Sequence, residues 1–307
     1  MIFSARAKNV EVDPEGKTAT VILHDEREFE GDLVVGADGL FSRLRDVLLG
    51  KKDLPVHTGD LAYRLLLSTK EILQDPELAS FVTESQINFW LGPDAHVVNY
   101  ALRGGELFNI VLPVPDDMPA NSPATMPGNI EDIRALYKDW DPRISKLLGL
   151  CKRVDKWRLC IRRGLANWSH PAGSFVLLGD AVHATLPYLA SGAGMSFEDG
   201  AVLGECLSRL ETTSPAQKRF ALRVYELCRK ERTEMVVERS SRQRYLNHLH
   251  DGPEQEERDR RMRERPTRPG EALAWRDPEL APILLGYDHL KDVETSWARL
   301  KRAELKL

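Results

Sequence analysis

No apolar run in this sequence approaches the ~20 residues needed to cross a bilayer, and residues 1–12 lack a long apolar core after a basic start. Neither a membrane span nor a secretory leader is therefore expected. Cysteine is scarce: Cys151, Cys160, Cys206 and Cys228 are widely spaced and form no Cys-x-x-Cys pair. A reduced, cytoplasmic protein without a metal site is the simplest expectation. Neither charge sign dominates, since 43 Lys and Arg against 47 Asp and Glu leave a net charge of −4, and the electrostatic case for nucleic acid is missing. Internal repeats are absent too. What remains is 307 residues with 42% hydrophobic content, enough to bury a sizeable core in one large or two modest domains.

The most informative stretch runs from Phe175 to Leu203. Phe175, Val176, Leu177 and Leu178 have the composition of a buried strand, Gly179 permits a tight turn, and Asp180 follows with a carboxylate suited to a sugar or ribityl hydroxyl. Twelve residues beyond Asp180, Gly192-Ala193-Gly194 precedes a helical pattern over Ser196–Leu210. A helix start there leaves backbone N–H groups and the positive end of the helix dipole facing whatever docks, which favours an electron-rich, anionic ring. A second strand, Leu33-Val34-Val35, runs into Gly36-Ala37-Asp38-Gly39, and Ser42 and Arg45 follow at the spacing Asp-Gly-x-x-Ser-x-x-Arg, where they can cap and open a helix.

In their order and spacing these two segments resemble the second and third fingerprints of the FAD-dependent aromatic hydroxylases of the salicylate hydroxylase and para-hydroxybenzoate hydroxylase type. The likeness covers residues from about 18 to about 250. It implies FAD as cofactor, NAD(P)H as co-substrate, and a small aromatic substrate. Asp180 would hold the ribityl chain, Pro187 would pack beside the isoalloxazine, and Gly192, Ala193 and Gly194 would offer N–H groups to the pyrimidine end of the flavin. Asp38 and Gly39 would lie near the pyrophosphate and the nicotinamide route, while Arg45 reads equally as a surface helix residue or a pyrophosphate partner. Gly59-Asp60-Leu61-Ala62-Tyr63-Arg64 resembles a segment that faces the substrate, which makes Arg64, with Tyr100 on a neighbouring strand, the candidate pair for activating and positioning a phenol. Ser191 departs from the glutamine often found in salicylate hydroxylase relatives. The family's first fingerprint, Gly-x-Gly-x-x-Gly, which cradles the FAD pyrophosphate, occurs nowhere in these residues.

The fold class expected is α/β: an incomplete Rossmann-like FAD-binding layer, an inserted β-rich substrate domain and a helical C-terminal region. Residues 1–52 form the first part of the flavin layer, 53–158 the substrate domain, 159–212 the second part of the layer and 213–307 a charged helical region. The chain opens on a hairpin turning at Asp13-Pro14-Glu15-Gly16. Alternating runs at Asn88–Leu91, His96–Leu102 and Leu107–Val114 predict an antiparallel sheet, Pro113–Gly128 a surface loop, and Asn129 a cap for a short helix over Ile130–Trp140. Trp90, Trp140, Trp157 and Trp168 read as packing in the middle layer, and Ala201, Leu203, Cys206, Leu207 and Leu210 as one apolar helix stripe. His57 and His183 are lone histidines, which default to structural roles.

Three functions fit this reading. The first is an FAD-dependent monooxygenase that hydroxylates a phenolic or other aromatic substrate with NAD(P)H and O2. The second is a truncated, inactive relative serving as a binding or scaffold protein, and the third a flavin oxidoreductase that inserts no oxygen. A homo-oligomer, or a partner supplying the missing N-terminal unit, belongs to the same set of expectations.

Overall fold

The computed structural model describes residues 1–304. The chain begins with β1 (Ala7–Val12), β2 (Ala19–Leu23) and β3 (Glu28–Gly31), an antiparallel three-stranded sheet in the order β1-β2-β3. The expected hairpin is present, and the turn after Leu23 adds a third strand of largely exposed, charged residues, whose composition hides it from a search for apolar alternation. Next come β4 (Val34–Gly36), α1 (Arg43–Leu49), β5 (Val56–Ser68), α2 (Thr69–Ile72) and α3 (Pro76–Thr83). A stretch of β6 (Ile87–Gly92), β7 (Ala95–Leu102), β8 (Leu107–Pro115), β9 (Thr125–Pro127), α4 (Ile130–Leu136), α5 (Pro142–Gly149) and β10 (Asp155–Ile161) follows. The chain closes with β11 (Phe175–Leu177), α6 (Asp180–His183), α7 (Gly192–Ser208), α8 (Pro215–Asn247), α9 (Pro253–Arg263), α10 (Leu280–Leu285) and α11 (His289–Glu304).

Two compact units emerge: residues 1–56, 160–243 and 264–307 in one, residues 57–159 and 244–263 in the other. The expected charged C-terminal region is thus not a unit of its own, because α8 is shared and α9 goes with the second unit.

In the first unit, β4 and β11 pair in parallel, with Phe175 opposite Val34 and Leu177 opposite Gly36. The match is tight enough that a Cβ on Gly36 would lie 2.6 Å from Leu177 Cδ2 and 3.2 Å from Leu44 Cβ. Glycine is needed there for the two strands and α1 to close together. The core beneath them gathers Trp168, Phe175, Val176, Val202, Cys206 and Tyr225. Trp168 accordingly packs here, not in the middle layer where the sequence reading put it. On α7 Met195, Asp199, Val202, Leu203 and Cys206 are buried, and Leu207 and Leu210 pack half-buried against the same core, so the expected apolar stripe is present except at Ala201, which is exposed while Val202 turns inward.

The second unit is a six-stranded sheet in the order β6-β7-β8-β5-β10-β9. One face carries the core, with Tyr63, Leu65, Leu67, Val97, Ile110 and Leu112 all buried. The helix expected over Ile130–Trp140 stops at Leu136, and Asp141 caps a new one by accepting the Arg143 N–H at 2.9 Å, with Pro142 in the first turn. Its fixed φ suits Pro142 to that first position. The loop expected over Pro113–Gly128 is partly sheet: β8 runs through Pro115, and β9 pairs with Asp155–Trp157. Between those strands the loop is pinned by Arg158, which donates to Asp116 at 2.6 Å and to the Met118 and Pro119 carbonyls at 2.7 and 2.9 Å.

His96 on β7 and His248, just past α8, face each other at 2.8 Å from Nδ1 to Nε2. Burial, with the neighbouring imidazole adding to it, pushes His96 down to about 3, and burial takes His248 to about 4. Both folded values lie below the unfolded one, so as pH falls below about 6.5 the unfolded chain takes up protons that the folded pair refuses, and stability is lost. The urea midpoint is expected to fall between about pH 7 and about pH 5; a midpoint that stays flat or rises over that interval would contradict this reading of the pair.

Candidate functional site

The first unit brings the two sequence segments together. At the end of β11 the chain turns at Gly179, whose φ of 62° and ψ of −145° are conformations that side chains with a Cβ rarely adopt. A Cβ at Gly179 would sit 2.9 Å from Ser196 Oγ on α7, so the turn lies against that helix's first turns. Asp180 opens α6 and is exposed; its carboxylate makes no hydrogen bond among the described residues. The helix α7 starts at Gly192 behind Ser191, whose side chain does not cap it but donates to the Leu189 carbonyl. Ala193 and Gly194 are exposed, and nothing stands within 4 Å of where a Gly194 Cβ would be. Pro187, also exposed, begins the short turn Pro187–Leu189 that leads into this helix. A free acid after the turn that packs on α7, and an uncapped, uncrowded start to that helix, are an acceptor and a set of donors of the kind a polyol chain and an electron-rich ring would call for.

Behind this face runs a buried polar network that the sequence reading did not promote. Asp199 of α7 accepts from the Gly179 N–H at 2.8 Å and contacts His183 Nε2 at 2.6 Å through Oδ2, and accepts from Arg229 Nε at 2.8 Å through Oδ1. All three side chains are buried. Buried Asp, His and Arg spaced over some fifty residues carry no local pattern, which is why His183 read as a lone histidine.

Asp38 and Gly39 stand at the start of α1. The Asp38 carboxylate accepts from Ser42 Oγ at 2.5 Å and from the Arg43 and Leu44 N–H groups at 2.7 and 3.0 Å, so it holds the helix start. Gly39 has φ of 78° and open space around its Cβ position. Arg45 is not the surface residue that was one expectation. It is fully buried, with Nε on Asp53 at 2.7 Å, Nη1 on the Ala181 and Val182 carbonyls at 3.1 and 2.9 Å, and Nη2 on the Arg163 carbonyl at 2.6 Å. The guanidinium fork therefore braces α6, directly after Asp180.

The second unit carries the other candidates. Register places Arg64 opposite Val111 and Leu66 opposite Asn109 across β5 and β8, and Val98 opposite Val111 and Tyr100 opposite Asn109 across β7 and β8. Residues paired across a sheet share a face, so Arg64 and Tyr100 lie on the same side, away from the core face of Tyr63 and Leu65. Arg64 is exposed and its guanidinium stands 6.0 Å from the centre of the Trp157 ring, which is itself 44% exposed; Arg64 forms no ion pair among the described residues. Between Arg64 and Tyr100 sits Asn109, which was not singled out from sequence. It is 1% exposed, and neither its Oδ1 nor its Nδ2 has a hydrogen-bond partner. His57 is exposed. No group of three or more potential metal ligands occurs among the described residues.

Residues 1–240 match the family described as FAD binding domain. FAD-dependent monooxygenase OpS4 of Beauveria bassiana (strain ARSEF 2860) is 42% identical over 295 residues, covering 94% of this chain and 67% of that protein. FAD-dependent monooxygenase atnJ of Arthrinium sp is 36% identical over 82% of this chain and 59% of its own length, and 3-hydroxybenzoate 6-hydroxylase of Polaromonas naphthalenivorans (strain CJ2) is 33% identical over 77% and 55%. The chain thus spans between 55% and 67% of the length of these curated relatives. A solved salicylate hydroxylase substrate complex superposes with a TM-score of 0.76 over 95% of this chain and 70% of the other at 23% identity, a likeness of fold. The chain belongs to the FAD binding domain family, among the FAD-dependent aromatic hydroxylases.

Proposed function

We propose that the chain handles FAD and an aromatic substrate in a monooxygenase that hydroxylates a phenolic or other aromatic ring with NAD(P)H and O2. The observation that carries the reading is the unpartnered, exposed Asp180 carboxylate on a turn that packs against α7, whose start has no side-chain cap. The names of the relatives support the reaction class.

Asp180 would accept from ribityl hydroxyls, and the N–H groups of Gly192, Ala193 and Gly194 would face the pyrimidine edge of the ring. Because reduced flavin is an anion, donors and a helix dipole held in place before reduction lower the cost of forming it. FAD, when bound and reduced by NAD(P)H, supplies the activation of oxygen. Pro187 would limit the space beside the ring. Asp38 acts on the cofactor through the start of α1, since its oxygens are already engaged. On the sheet of the second unit, Arg64 would hold a phenol as phenolate or pair with a ring carboxylate, and Tyr100 would hydrogen-bond the same group. Asn109 fits the same row as a specificity residue. Its buried amide pays for desolvation without a partner, and a substrate hydroxyl or carbonyl reaching it would relieve that cost.

These residues contain no Gly-x-Gly-x-x-Gly, so the FAD pyrophosphate lacks that cradle within them. Flavin affinity in the chain is expected to rest on ribityl and ring contacts and to rise when a partner or a relative's N-terminal segment supplies the turn. The wide spacing of the four cysteines, with no Cys-x-x-Cys pair, supports a cytoplasmic setting, and no helix among the described residues is long and apolar enough to cross a membrane. Incubation with FAD, NAD(P)H, 18O2 and a panel of simple phenols tests the reaction. A product heavier by one labelled oxygen is expected, whereas NAD(P)H consumption that never labels a product would favour an oxidoreductase without oxygen insertion.

A further inference from the structure

We infer that Asp199 is a positioning residue that fixes the turn carrying Asp180 to α7, the helix whose first N–H groups have no side-chain cap. The inference deepens the flavin reading and rests on it. Asp199 is 0% exposed, as is Arg229, and a carboxylate in such a place must be compensated or protonated. Burial alone would raise its carboxyl, but hydrogen bonds and charge from His183 and Arg229 hold it below the usual carboxylate range. An ionised Asp199 assigns the proton to His183 Nε2 and makes the Gly179 contact a charge-assisted hydrogen bond.

The consequence lies in which elements those bonds join. The Gly179 N–H belongs to the residue directly before Asp180, so anchoring Gly179 in its unusual conformation sets the direction in which the next side chain leaves. Asp199 itself belongs to α7, the helix that starts at Gly192. Arg229 on α8 holds the acid from the far side and also reaches the Met195 carbonyl, one turn into α7, at 3.3 Å. Glu198 pairs with Arg229 at 2.8 Å and with Arg232 at 2.7 Å, and the Arg229 guanidinium lies 5.0 Å from the centre of the Tyr287 ring. One carboxylate thus joins the strand end that offers the acceptor to the helix that offers the donors. Their spacing is set before any ligand arrives, which spares binding the cost of ordering them. A buried ion pair is a poor way to gain stability compared with apolar residues of the same volume, so fixing a geometry is the better account of its presence.

Asp199→Asn keeps the shape and removes the charge, and two measurements read it. Without flavin, hydrogen exchange should quicken about tenfold or more in residues 177–184 and 191–196 while Leu107–Pro115 is unchanged. With riboflavin, which carries only ring and ribityl chain, fluorescence quenching should report a Kd higher by about tenfold or more. If the single variant does not fold, Asp199→Asn combined with Arg229→Met, which removes both buried charges, is read in the same way. Unchanged exchange in residues 177–184, or faster exchange with riboflavin affinity intact, overturns the role of Asp199. A wild-type chain that never binds riboflavin instead sinks the flavin reading, and this role with it.

Discussion

Arg64→Ala is expected to lower hydroxylation of phenols by about a hundredfold while leaving flavin affinity unchanged. The guanidinium is charged at every working pH, sits on the open face of the sheet, and is left without an ion pair among the described residues, resting near the Trp157 ring. A cation so placed is free to stabilise a phenolate, the form of the ring most reactive toward an electrophilic oxygen, and that stabilisation grows as the proton leaves. Removing it should raise the pH at which turnover reaches its plateau, because the phenol then ionises closer to its solution value. Arg64→Lys should recover part of the rate, since a point charge replaces a fork. Normal kcat/KM in Arg64→Ala, measured with saturating FAD, would return Arg64 to the role of a surface residue stacked near Trp157.

Arg45→Ala is expected to cost about 3 kcal/mol or more of folding stability. One buried side chain there serves Asp53 and three backbone carbonyls drawn from two stretches of the first unit, at Arg163 and at Ala181 and Val182. Truncation leaves those carbonyls in an interior with no donor. Lysine is a poor replacement, because a single ammonium cannot reproduce a planar fork that spans two directions. Urea unfolding of wild type, Arg45→Ala and Arg45→Lys checks this, and a loss below about 1 kcal/mol in the alanine variant would mean that water or a neighbour takes over the bonds.

What was legible in the sequence, and what was not, follows from how far each interaction reaches along the chain. The strand, glycine and acid at Phe175–Asp180 are contiguous, and the helix start at Gly192 is a local composition, so both could be read directly, as could the alternation of β6, β7 and β8. The two strand ends, each legible by itself, meet as the parallel pair of β4 with β11. Asp199, His183 and Arg229 were not legible, because their meeting is made by three helices packing together. Arg45 could be placed on α1 but not assigned a depth, since an arginine looks the same in sequence whether it faces water or four acceptors. Asn109 escaped for a related reason: within an alternating strand it occupies the polar phase, and nothing local shows that its own side chain is buried while its strand partner Leu66 is exposed. The composition of residues 113–128, rich in Pro, Asp, Asn and Ser, made β9 look like loop.

The central claim is that Asp180 and the start of α7 receive a flavin, and fluorescence titration of FAD against the chain and its Asp180→Ala variant tests it most directly. Saturable quenching by wild type is predicted, with affinity in the variant lower by about tenfold or more, the effect of one charge-assisted hydrogen bond. Equal affinity in the two proteins, or no saturable binding by wild type even when a relative's N-terminal segment is added, would contradict it.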